Sequence, residues 1–200
     1  MRERFRRGVR FALPYGRASD NMLLVRESFL APSRTMVRIF PSLAISALMV
    51  LSGTAVLGLM VDDRHLYAEH FSLSLFGVII TLLIHVVVFT YFTVTGKMIG
   101  QAVMIGHLDR EPLQRVRRYK LRITRCLVLS FATIVVVVAF GALADRDRAW
   151  HLWHLVSAAV MLCVNAGAFY VEYGLMVLNG RMTTAVIEEY NAVKTDQAMR

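Results

Sequence analysis

Apolar residues in this chain neither alternate nor keep one clean helical stripe. They come in four long blocks, with the charges confined between them. The blocks lie at about 39–61 (IFPSLAISALMVLSGTAVLGLMV), 71–96 (FSLSLFGVIITLLIHVVVFTYFTVTG), 121–144 (containing LVLSFATIVVVVAFGALA) and 150–179 (WHLWHLVSAAVMLCVNAGAFYVEYGLMVLN). A helix crosses a hydrocarbon core of about 30 Å with roughly 20 apolar residues, and each block is long enough. Inside lipid every backbone group must find its partner within the protein, which favours helix over isolated strands. The pattern therefore predicts an all-α membrane protein, an up-and-down bundle of four transmembrane helices.

The polar stretches complete the plan. Residues 1–38 form a basic segment. Within it, 19–31 (SDNMLLVRESFLA) places apolar residues at helical spacing behind a Ser/Asp cap. That stretch reads either as an interfacial helix on an anionic leaflet or as a partly ordered basic tail. The bundle proper occupies 39–193. Residues 97–108 extend span two until Asp109–Pro112, residues 181–193 extend span four, and 194–200 form a tail. All four prolines avoid span interiors, and Pro41 is expected in the first turn of span one, where a missing N–H costs little.

Composition agrees: 56% of residues are hydrophobic and 18% charged, against about a quarter charged in soluble domains. The net charge of +9 is distributed as in a membrane protein, not as in a nucleic-acid binder. Nine arginines precede span one, and eight Lys/Arg lie between Lys97 and Arg125. Only Arg64, Arg146 and Arg148 fall in the two short connections. Cytoplasmic loops carry the Lys/Arg excess, so both termini and the 97–120 connection are expected in the cytoplasm. The basic N-terminus precedes an apolar block too long for a signal peptide and reads as a retained anchor. Cys126 and Cys163 both lie inside spans and read as packing residues.

Each span carries a stripe of small or polar residues, as packed membrane helices do. The stripes are Ser42, Ser46, Met49 and Gly53 in span one; Ser74, Thr81 and His85 in span two; and Cys126, Ser130, Thr133, Val137 and Gly141 in span three. In span four His151, Ala158, Asn165 and Glu172 recur every seven residues, with Gly167 and Gly174 beside them. These stripes are expected to face the bundle interior.

Three constellations carry candidate chemistry. His85 lies mid-span in an apolar block, with Thr81 one turn before it, and an intramembrane ionisable group is a default candidate for function. It reads as a haem or pigment ligand, a proton relay, a metal ligand, or a neutral side chain hydrogen-bonded to Asn165, Ser130 or Thr133. Counting from the outer end of span two puts His85 about 20 Å deep. The matching depth falls near Cys163–Asn165 and Ser130–Thr133, where no second histidine waits. A haem b would then need a second copy or another subunit, and a single isolated chain is expected to hold no cofactor.

The second constellation is the outer rim. His65 and His70 precede span two, His151 and His154 open span four, and Asp62, Asp63, Glu69, Asp145 and Asp147 are close in sequence. Imidazole with carboxylate suits a divalent metal, while Trp150 and Trp153 beside the histidines suit an interfacial belt. The third is Lys97 with Glu172, expected as an ion pair fixing the register of spans two and four, or with Glu172 opening a proton path through Asn165 to His85. No phosphate loop, HExxH or GxSxG occurs, and no inverted repeat of broken helices marks a transporter.

The stretches HVVVFTYFTVTGKMI (85–99) and VNAGAFYVEYGLMVLNGRM (164–182) resemble a group of small bacterial four-helix inner-membrane proteins. The resemblance implies a bacterial inner-membrane setting and carries over no functional residues. With no extramembrane domain and no complete catalytic set, the expected role is non-catalytic. The chain reads as an accessory or scaffold subunit, packed against other membrane subunits or further copies of itself, in an energy-transducing assembly. A haem- or metal-binding redox protein and a proton-coupled channel or transporter are the alternatives.

Overall fold

The computed structural model describes residues 18–61 and 66–200, with side chains from Thr35 onward. Every long element in it is helical: α1 (Ala18–Met60), α2 (Tyr67–Gly106), α3 (Glu111–Ala144), a 3-10 turn at Arg148–Trp150, and α4 (His151–Met199). All four α-helices are long and apolar enough to cross a membrane. The helices outrun the hydropathy blocks. α3 starts ten residues before its apolar stretch, at Glu111, because Pro112 suits a first turn and the Asp109 carboxylate accepts the Glu111 N–H at 3.2 Å. α2 stops where His107 turns left-handed (φ 50°), and the His107 and Leu108 N–H groups both return to the Val103 carbonyl. The α2–α3 connection is thus four residues: the expected helical extension of span two runs to Gly106, and α3 takes up the remainder of the 97–120 connection from Glu111. Pro41 lies in the interior of α1, not in its first turn, and leaves the Val37 carbonyl without that helical donor.

What faces inward is set by a seven-residue repeat rather than by hydrophobicity. α3 buries Val116, Ile123, Ser130 and Val137; α4 buries Asn165, Glu172, Asn179 and Val186; α1 buries Phe40, Ala44, Ala47, Leu51 and Thr54. A strict heptad on a 3.6-residue helix is the pattern of left-handed bundles with knobs-into-holes packing. Among the described residues α1 and α3 make no close backbone approach, whereas α2 lies against every other helix, α4 included. The cross-section is a rhombus whose short diagonal is the parallel pair α2 and α4.

The two hairpins repeat one another. Across the α2–α4 diagonal the contacts join equivalent positions. The Asn179 amide donates to Thr95 Oγ1, 84 residues apart in sequence, and the same separation joins the rings of His70 and His154 and those of His85 and Phe169. One residue short of that step, the buried Phe40, Ala47, Leu51 and Thr54 of α1 match Ile123, Ser130, Ile134 and Val137 of α3. The bundle is therefore a pair of like hairpins about a pseudo-two-fold axis running along it, between α2 and α4.

One expected stripe points the other way, and on α4 His151, Gly167 and Gly174, also expected inside, are exposed. Ser42, Ser46, Met49 and Gly53 of α1 are exposed, and a Cβ on Gly53 would meet nothing within 4 Å. The adjacent stripe is inside because Phe40 has a socket there: its ring meets Phe169 edge-on at 6.0 Å and stacks on Tyr173 at 6.4 Å. Ala47 is fully buried while Ser46 is exposed. Ala47→Leu is therefore expected to lower the unfolding free energy in mixed micelles by about 1–3 kcal/mol, the usual effect of overpacking. Ser46→Leu should leave it within about 0.5 kcal/mol. The reverse order would mean that α1 is rotated.

Candidate functional site

The polar residues that α2 and α4 turn toward each other meet at one place. His85 is fully buried between Asn165 and Glu172, also fully buried and one heptad apart on α4. Its Nδ1 lies 2.7 Å from Glu172 Oε1 and its Nε2 3.1 Å from Asn165 Oδ1. Phe169, halfway between the two α4 residues, stacks on the imidazole with centroids 4.8 Å apart.

The hydrogen-bond directions follow from one anchored group. The Asn165 amide nitrogen donates to the Met161 carbonyl at 2.8 Å, which leaves Oδ1 as the atom facing the histidine. An amide oxygen only accepts, so Nε2 carries a hydrogen. A single further proton then lies between Nδ1 and Oε1. Written as imidazolium and carboxylate, or as imidazole and carboxylic acid, the pair is net neutral. That is the condition under which two ionisable groups are tolerable in a dry interior. Among the described residues the other carboxyl oxygen, Glu172 Oε2, is buried without a hydrogen-bond partner, as is Ser130 Oγ.

Other expected members of this group sit close by without joining it. Thr81 is fully buried, but its hydroxyl donates to its own helix at Gly77, and half-buried Thr133 donates to Ser130. The expected Lys97–Glu172 ion pair does not form: Lys97 is exposed and Glu172 is held by His85. The Thr95–Asn179 bond sets the register and puts Lys97 level with Arg181, nine residues or about 13 Å from Glu172. No proton path through Asn165 is needed either, because Glu172 meets His85 directly.

At the opposite end the rim histidines are built in as a matched pair. His70 donates from Nδ1 to the Thr54 carbonyl, and His154 from Nδ1 to the Val137 carbonyl, both at 3.1 Å. Each ring reaches its carbonyl over a glycine of the neighbouring helix. A Cβ on Gly58 would stand 2.7 Å from His70 Cε1, and one on Gly141 3.1 Å from His154 Cε1. The two rings meet perpendicularly at 6.3 Å. His151 is exposed and outside this arrangement, and His65, Asp62 and Asp63 lie outside the described residues. Among the described residues no three His, Cys, Asp or Glu side chains are grouped to hold a metal.

The third polar layer, Thr95 with Asn179, has its signal in the sequence. Carrying the heptad of Asn165 and Glu172 one step further lands on Asn179. The Phe169 stack had no such signal. No family model matches the chain, and neither a curated protein nor a solved structure matches it.

Removing one member of the central pair strands the other. Glu172→Leu or His85→Leu alone is expected to cost about 3–5 kcal/mol in mixed-micelle unfolding, and the double variant much less than the two single costs added together. Additive costs would mean that the two groups do not depend on each other.

Proposed function

We propose that the protein is a non-catalytic subunit of a larger assembly in the bacterial cytoplasmic membrane. Both termini and the α2–α3 turn lie in the cytoplasm, as the Lys/Arg distribution favours. The outer faces of α1 and α4 pack against helices of other membrane subunits or of further copies. The observation that carries this reading is where small residues remain uncovered. Gly53 on α1, and Gly167 and Gly174 on α4, are exposed, and at each an added Cβ would meet nothing within 4 Å. Cys163, Ser42 and Ser46 share those faces and are exposed as well. Small surfaces give nothing to lipid but allow close approach of another helix. Meanwhile His85 spends both ring nitrogens inside its own chain, and His70 and His154 each give Nδ1 to a carbonyl. Iron ligation at His85 would require one of its bonds to be surrendered, which counts against the redox reading.

Substitution at the open glycines tests the reading without disturbing the monomer. Gly53→Leu combined with Gly167→Leu and Gly174→Leu should leave the mixed-micelle unfolding midpoint in place. It should also abolish co-purification of partner subunits, or of a second copy, under mild detergent. Wild-type protein that runs as a lone monomer, or a triple variant that assembles as before, would refute it.

The proton-coupled alternative draws on a different observation, Glu172 Oε2, buried and without a hydrogen-bond partner among the described residues. It predicts that liposomes carrying the protein show a pH-dependent flux that Glu172→Gln reduces at least about tenfold, within the usual reach of a positioned proton-transfer group. Equal flux in wild type, variant and empty liposomes ends that alternative.

A further inference from the structure

α2 and α3 are antiparallel, and their register is fixed at several points. The Tyr67 hydroxyl donates to Asp145 at 2.8 Å, the Lys120 ammonium sits 4.9 Å over the Phe89 ring, and Gly96 abuts Val116. Interpolating between them puts Arg125 level with Val87 and Arg122 level with Thr90. Both arginines are exposed. At this height α2 and α4 present apolar side chains outward, Val86 and Val87 on α2 and Tyr170 and Val171 on α4, while α3 offers its guanidinium groups and α1 brings the exposed Arg38 to about the same level. Among the described residues neither arginine has an ion-pair partner; the exposed pairs are Arg115–Glu111 and Arg200–Asp196.

Arg118, Arg122 and Arg125 stand four and then three residues apart, so they share one face of α3. The same face continues as Leu129 and Val136, 54% and 46% exposed. A single stripe therefore runs from three cations to bare aliphatic surface, along a helix long enough to span a bilayer. Its ligand must match both halves: an anion at one end, hydrocarbon at the other. Guanidinium groups bind phosphate through paired N–H donors.

We infer that Arg118, Arg122 and Arg125 form a binding site for the phosphate of an anionic phospholipid whose acyl chains lie along Leu129 and Val136. The inference rests on membrane embedding but is independent of what the subunit assembles with. A free phosphate does not fit the stripe, because it leaves the aliphatic half uncovered.

Native mass spectrometry of the full chain in mild detergent tests it, with dioleoylphosphatidylglycerol or dioleoylphosphatidylcholine added as the probe. Wild-type protein should retain phosphatidylglycerol in preference to phosphatidylcholine. R122Q/R125Q should weaken that retention by about tenfold or more, the scale of two basic contacts at an anionic surface. R110Q/R117Q removes the same charge off the stripe and should change it less than about threefold. R122K/R125K should keep part of the preference. Inorganic phosphate in excess should not displace the lipid. Equal losses in the two glutamine variants, equal retention of both lipids, or displacement by phosphate would each overturn the site. Matched unfolding midpoints show that every variant is folded, and failure of wild type to enter liposomes would instead remove the membrane premise, and the site with it.

Discussion

One proton shared by two buried groups on different helices constrains the rest of this bundle. His85 and Glu172 are expensive apart and acceptable together, so α2 and α4 must touch along their length, in one register, although they are not neighbours in the chain. That requirement explains the rhombic section. The diagonal pair is drawn together, Asn165 and Phe169 close the remaining sides of the imidazole, and α1 and α3 are left as flanking helices with no close backbone approach to each other among the described residues. The same register carries the Thr95–Asn179 bond further along and the histidine pair at the other end.

The repeat of the two hairpins shows what is specific about the centre. At the rim the halves are alike: each has a glycine, a histidine above it and a carbonyl receiving the ring N–H. At the centre they differ. The positions equivalent to His85, Glu172 and Asn165 are Phe169, Val88 and Thr81, so the ionisable groups occupy one side of an otherwise matched frame. Where equivalent residues touch across a two-fold axis, an interface is self-complementary. Here a histidine and a glutamate break that self-complementarity in charge, since their equivalents, Phe169 and Val88, carry none.

The spans, their number and their alternation were legible because lipid leaves few alternatives to a run of 20 or more apolar residues. So were the members of the central group, since polar residues inside such a run must face one another. Depth was not. Counting inward from the edges of hydropathy blocks assumes that all helices start at one height. α4 starts directly after a 3-10 turn, and α3 begins well before its apolar stretch. That misplacement led from the real partner, His85, to a false one, Lys97. The rotation of α1 was illegible for another reason. Its two parallel stripes both contain small residues, and small residues serve contacts inside a chain and between chains equally well. Only the fit of Phe40 against Phe169 and Tyr173 decides between them.

The distance in sequence between the central partners has a meaning for biosynthesis. His85 is made 80 residues before Asn165 and 87 before Glu172. During synthesis the first hairpin is complete while its buried ring has no companion. An imidazole can wait as a neutral ring, whereas a carboxyl group inserted first would have to take up a proton to enter lipid uncharged. The order of the chain therefore brings the forgiving group in early and delivers the demanding one to a site already prepared for it. The helix that carries Glu172, made after the first hairpin, is the one that closes the bundle.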